Sequence, residues 1–195
     1  MYFCIYLGDD SYGIDPTLPE TESKAIIPPY QVLAEYKSKN VCIDSPREVF
    51  HIDRMQDPND IKLDIMGCYK SGKRNLKATP RIIFENETGV GSGPVSEFLN
   101  CSIKLVTEGF DNMGKTTLFF EGEKDHKIPV HNTAVRQAGG YRAIGKIIGH
   151  CILHGGPLLY GLSESVIDFW GTGSHSEIVL QDVADTELRE LLEEV

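Results

Sequence analysis

The chain has 195 residues, 41% of them apolar and 25% charged, the balance of globular material that fills one sizeable core as one domain. Its formal net charge of −10 at pH 7 argues against nucleic acid, whose phosphates require a basic patch, and against an anionic membrane surface. Proteins and small molecules are the partner classes left.

In chain order, the opening "MYFCIYLGDD" is apolar but lacks a basic leader and turns acidic at once, so it reads neither as a secretory signal nor as a bilayer span. Residues 1–29, rich in Pro, Gly, Ser and acids, read as an arm or linker. The compact domain is expected over 30–195. "YQVLAEYKS" suggests a short helix and "REVFHIDR" alternates as a strand. In "DPNDIKLDIMGCYKSG", Asp57 offers an N-cap, Pro58 suits the first turn, Ile61, Ile65 and Tyr69 share a face, and Gly72 supplies a stop. "PRIIFE" is an apolar strand, and the loop "NETGVGSGP" carries it into "PVSEFLNCSIKLVTE". There Val95, Phe98, Leu99, Ile103 and Val106 recur at helical spacing, and Gly109 ends the helix. "TTLFFEGEKDHKIP" reads as a short strand turning at Glu121-Gly122. "HNTAVRQAGGYRAIGKIIGHCILHGG" reads as one long helix with Val135, Tyr141, Ile144, Ile148, Cys151 and Ile152 on its apolar face, stopping at Gly155-Gly156. Shorter helices follow around "SESVIDFW" and "DTELRELLEE". There is no internal repeat. The sum is an α+β fold, mainly helical with a few short strands.

Several patterns invite chemistry. "GFDNMGKTT" fits the phosphate-binding pattern GxxxxGK[ST], and a phosphate-loop NTPase would use Gly109, Gly114, Lys115 and Thr116. A phosphate loop follows a strand and opens a helix, however, whereas here a helix precedes and a short strand follows. "NVCID" and "SVIDF" are the nearest approaches to a strand ending in a magnesium-holding Asp. His150 and His154 stand four apart on a helix, as paired metal ligands would, yet Cys151 occupies the place of a zinc protease's Glu, so they read as structural histidines. "GVGSGP" misses the dinucleotide pattern, because the third glycine falls at Gly93 and Pro94 takes the required position; it reads as a tight strand-to-helix turn. The five cysteines, Cys4, Cys42, Cys68, Cys101 and Cys151, are odd in number and scattered, which suits a reducing cytoplasmic or nuclear compartment. Cys68, Cys101 and Cys151 lie in expected helices among apolar neighbours, the usual setting of an inert thiol. No metal or cofactor is expected.

Three segments in order resemble the HECT family of ubiquitin ligases. "RIIFENETGVGSGPVSEF" is similar to the family's strand, acidic residue, glycine-rich loop and "REF"-like helix start, through Phe84, Glu87, Gly89, Gly93, Pro94, Glu97 and Phe98, with the loop one residue shorter. "YRAIGKIIGHCILHGGPL" is similar to its long-helix element, through Ile144, Gly145, Lys146, Ile148, Gly149, His154 and Gly155. "LQDVADTELRELL" is similar to a third segment, through Asp182, Val183, Asp185, Glu187 and Leu188. The doubled glycine of "HGGP" resembles the more divergent branch, that of the G2/M-phase-specific ligase type. The resemblance implies the large subdomain of a HECT N-lobe over 30–195, without the subdomain that docks the conjugating enzyme and without the C-lobe whose cysteine accepts ubiquitin as a thioester. It further implies a scaffold or binding module with ubiquitin or ubiquitin-pathway proteins as partners and no catalytic residue of its own. Two departures stand inside the match: the family's loop Asp is lost or shifted around Val90 and Gly91, and Ser96 replaces an Arg. On physical grounds Pro94 presets the first helical turn, Glu97 sets a negative charge near the positive helix end, and Gly145 and Gly149 would let another element approach closely.

Overall fold

The computed structural model describes residues 28–89, 91–174 and 178–194. Residues 1–27, and with them Cys4 and most of the expected arm, lie outside this set. The described residues form seven α-helices and three two-stranded sheets, the α+β, mainly helical fold expected.

Helix α1, Pro29–Asn40, begins on a Pro pair that suits a first helical turn, and it buries no residue. Strand β1, Glu48–Ile52, and strand β2, Pro80–Phe84, pair in parallel with Glu48 opposite Pro80 and Ile52 opposite Phe84. Parallel pairing needs a crossover, supplied by α2, Pro58–Lys70, where Asp57 caps the start by accepting from the Asn59 N–H at 2.9 Å. Phe50, Ile52, Ile82 and Phe84 alternate into the core, as a half-buried sheet requires.

Helix α3, Ser92–Glu108, buries Phe98, Leu99, Ile103, Leu105 and Val106, and Gly109 ends it at φ 72°. A side chain at Gly109 is excluded because its Cβ would lie 2.0 Å from the Thr117 carbonyl oxygen. Strands β3, Phe110–Asn112, and β4, Lys115–Thr117, then form a hairpin. Its turn residues Met113 and Gly114 both have positive φ, 51° and 80°, the signature of a type I′ turn.

Strands β5, Phe120–Glu123, and β6, His126–Pro129, pair around a turn at Lys124–Asp125, three residues later than expected. Gly122 is a glycine for another reason. It sits within β5 at φ 104°, where a Cβ would meet the His126 carbonyl oxygen at 2.5 Å.

The expected single long helix is two: α4, Thr133–Gln137, and α5, Gly140–His154. Gly139 turns left-handed between them at φ 70°, and Gly140 packs so closely on α4 that a Cβ would meet Val135 Cγ1 at 2.6 Å. The expected Ile144 and Cys151 are buried and Val135, Tyr141 and Ile148 pack half-buried against the core, but the break resets the helical phase and adds Ala143, Ile147, His150 and Leu153 to the buried face of α5. This helix packs on both α2 and α3. Helix α6, Glu164–Thr172, a 3-10 turn at Leu180–Asp182, and helix α7, Thr186–Glu193, complete the described chain. No helix among the described residues is long and apolar enough to cross a membrane.

Candidate functional site

The parallel pairing places the ends of β1 and β2 side by side, and the loop from β2 leads directly into α3. Arg54, just beyond β1, occupies this junction. Its Nε donates to Glu87 in the loop, and its Nη1 donates to both carboxylate oxygens of Glu97 at 2.7 and 2.8 Å. The guanidinium carbon lies 4.9 Å from the centre of the Phe84 ring, a cation–π contact. The hydrogen bonds it donates to Glu87 and then Glu97 raise the already high pKa of Arg54. One arginine therefore gathers Phe84, Glu87 and Glu97, three residues singled out in the sequence. Glu97 does not serve the helix end as expected, because α3 has no acidic residue in its first turn. Gly89 lines a shallow surface cavity of about 270 Å³ with Arg47 and Arg81, while Gly93 and Pro94 lie in the opening turn of α3. Phe98 is buried against Phe50, with ring centres 4.9 Å apart.

The phosphate-pattern residues sit elsewhere, on the β3–β4 hairpin. Gly109 is a helix C-cap, Gly114 completes the turn, and Lys115 and Thr116 lie in β4, with no helix opening behind them. The backbone N–H groups that would cradle phosphate instead serve a hairpin ladder. Asn59 holds that hairpin to α2, donating to the Asp111 carbonyl at 2.9 Å and accepting from the Asp111 N–H at 2.6 Å. Thr116 Oγ1 donates to Asp111 at 2.7 Å rather than facing an open metal position.

His150 and His154 share a face of α5, with ring centres 4.7 Å apart. Each turns to the protein. His150 Nδ1 lies 2.7 Å from the Tyr69 hydroxyl, and His154 Nε2 donates to the Leu76 carbonyl at 2.9 Å. Burial, reinforced by His154, pushes the His150 pKa down to about 3, and burial lowers that of His154 too. Among the described residues no group of three or more potential ligands could hold a metal ion. Gly149 is buried within α5, and at Gly145, where a Cβ would meet nothing within 4 Å, no element makes a close approach. Just past the helix end, a Cβ at Gly156 would lie 2.9 Å from Leu99 Cβ.

Burial raises the Cys68 and Cys101 thiols and pushes Cys151 up to about 12. None of the three is poised as a thiolate nucleophile. Cys42 is exposed.

A further cluster escaped sequence reading. Asp182 Oδ1 accepts from His126 Nε2 at 2.8 Å and from Ser165 Oγ at 2.9 Å, while Oδ2 accepts from the Val179 N–H at 3.0 Å. Burial pushes this carboxyl up, but its hydrogen bonds to Val179, His126, Ser165 and Ser163 together outweigh burial and leave its pKa below the usual range. Both serines belong to the Asp182 side: Ser163 Oγ lies 2.9 Å from Ser165 Oγ. A hydrolytic triad needs the serine on the histidine, so the group is a tie between β6, α6 and the 3-10 turn. A scan against models of protein families matches none, and a search of curated proteins finds no match.

Proposed function

We propose that the chain is the large N-lobe portion of a HECT-type ubiquitin ligase and acts within the ubiquitin-transfer system as a non-catalytic scaffold or binding module. The observation that carries this reading is the packing of two of the resembling segments, β2 and α3 together with α5 covering α3, while the Asp182 tie fastens the third to β6. Residues of the first segment also converge on Arg54, as parts of one device would. The raised thiol pKa values of Cys68, Cys101 and Cys151 suit a lobe that leaves thioester chemistry to a C-lobe cysteine. In the parent mechanism ubiquitin passes from the conjugating enzyme to that cysteine, then to a substrate lysine through an isopeptide bond. The working compartment would be the cytoplasm or nucleus.

The test offers the chain free ubiquitin in a fluorescence titration, and ubiquitin-charged conjugating enzyme on non-reducing gels. Saturable binding of either species, with no thiol-sensitive adduct, is expected. A labile adduct overturns the non-catalytic assignment, and single Cys→Ser changes then find the nucleophile. Absence of binding to both free ubiquitin and charged enzyme removes the module reading itself.

A further inference from the structure

Helix α7 is held firmly yet left bare. Asp185 caps it, accepting from the Glu187 and Leu188 N–H groups at 3.0 and 3.1 Å. Arg189 Nε donates to the Val183 carbonyl at 3.2 Å, and its Nη1 pairs with Glu123 on β5. The Asp182 tie fixes the 3-10 turn on which α7 packs. Nevertheless Leu188, Leu191 and Leu192 are 48%, 63% and 48% exposed, and none of the helix is buried. Leucines at i, i+3 and i+4 form one stripe on a helix. Ile178 and Val179, just before the 3-10 turn, are likewise 72% and 44% exposed. Ordering a short helix while leaving its apolar stripe in water is a stability cost that bound apolar surface recovers.

The charges select the occupant. At 100° per residue, Glu187 and Glu194, seven apart, run along one border of the stripe, where a packed partner helix places its flanking residues. Across the stripe the only cation of α7 is Arg189, already engaged by Glu123. A second copy of the chain would bring another Glu187 and Glu194 along the same border, a like-charge contact. We propose that α7 is a docking helix for a basic amphipathic helix of a partner protein. Its apolar stripe lies on Leu188, Leu191 and Leu192, and its Lys or Arg residues face Glu187 and Glu194. This inference stands independently of the ubiquitin reading.

The test uses the full chain and a fluorescein-labelled amphipathic Leu/Lys peptide of about four helical turns, read by anisotropy. A Lys/Ser peptide of equal charge and a Leu/Glu peptide of equal pattern serve as comparisons. The Leu/Lys peptide is expected to bind tightest. The Leu191→Ala, Leu192→Ala double variant should weaken it roughly tenfold or more, the loss of partial burial of two leucines. The Glu187→Lys, Glu194→Lys variant leaves the leucines untouched and should transfer preference to the Leu/Glu peptide. Equal binding of the Lys/Ser peptide would trace the effect to net charge and overturn the proposal. So would unchanged affinity in the leucine variant, or a concentration-dependent dimer in sedimentation that the leucine variant abolishes.

Discussion

Acidification should destabilise this protein through His150. The ring is fully buried between Tyr69, Phe50 and His154, and its pKa in the fold is down to about 3 against an ordinary value of 6.5. The unfolded chain therefore takes up a proton near pH 6.5 that the folded chain refuses until near pH 3. Stability is unaffected by this group above the higher value and falls as pH drops through the window between the two. The slope there is about 1.4 kcal/mol per pH unit. At pH 5.0 the accumulated loss is about 2 kcal/mol, a large share of the stability of a domain. That figure is insensitive to the folded value, which lies well below pH 5. His154, shifted the same way, adds to the loss. The assay is urea unfolding at pH 7.5 and 5.0, followed by the fluorescence of Trp170, the sole tryptophan. His150→Gln keeps a polar group opposite the Tyr69 hydroxyl but cannot titrate. The wild type should lose about 2 kcal/mol more than this variant between the two pH values. An equal loss in both proteins would refute the argument, since the proton uptake would then belong to other groups.

Two glycines singled out by different reasoning should respond oppositely to alanine. Gly145→Ala should be neutral or stabilising by up to ~1 kcal/mol, because the Cβ meets nothing within 4 Å and helix propensity improves. Gly156→Ala should cost about 1–3 kcal/mol, because its Cβ would press on Leu99 and Cys151; chemical denaturation measures both. Millimolar ATP with magnesium should leave the melting temperature unchanged in wild type and in Lys115→Ala alike, and a shift abolished by that substitution would restore a nucleotide site. Iodoacetamide at neutral pH should label exposed Cys42 in the folded chain and leave Cys151 untouched until denaturation, as peptide mapping by mass spectrometry would record.

Local signals carried much of the fold. Asp57 before Pro58 announced α2, Gly109 the end of α3, and the spacing from Phe98 to Val106 the face of α3, because caps and periodicity act within a few residues. The long helix failed for an instructive reason: two adjacent glycines are compatible with a helix interior in a pattern scan, and only the packing of Gly140 on Val135 shows the break. The extrapolated face therefore missed Ile147 and Leu153. At the candidate site, the glycines and acids of the β2–α3 loop were visible, but Arg54 was not. It reaches 33 and 43 residues along the chain to its carboxylates, a distance over which no spacing rule operates. The same holds for Tyr69 with His150, and for His126 with Asp182.

The position of α5 has a consequence for how the protein is made. This helix lies against both α2 and α3, and its Ile147 and Cys151 close the hydrophobic cluster that contains Phe50, Phe98 and Leu99. A ribosome delivers all of the earlier elements first, and the parallel β1–β2 pair cannot form as a local hairpin. Until α5 emerges, the nascent chain displays large aromatic and aliphatic side chains with nothing to cover them, the condition under which chains aggregate or recruit chaperones. Truncations that stop short of His154 should therefore accumulate as insoluble material, while the same deletion taken from the C-terminal side of α6 should be far better tolerated.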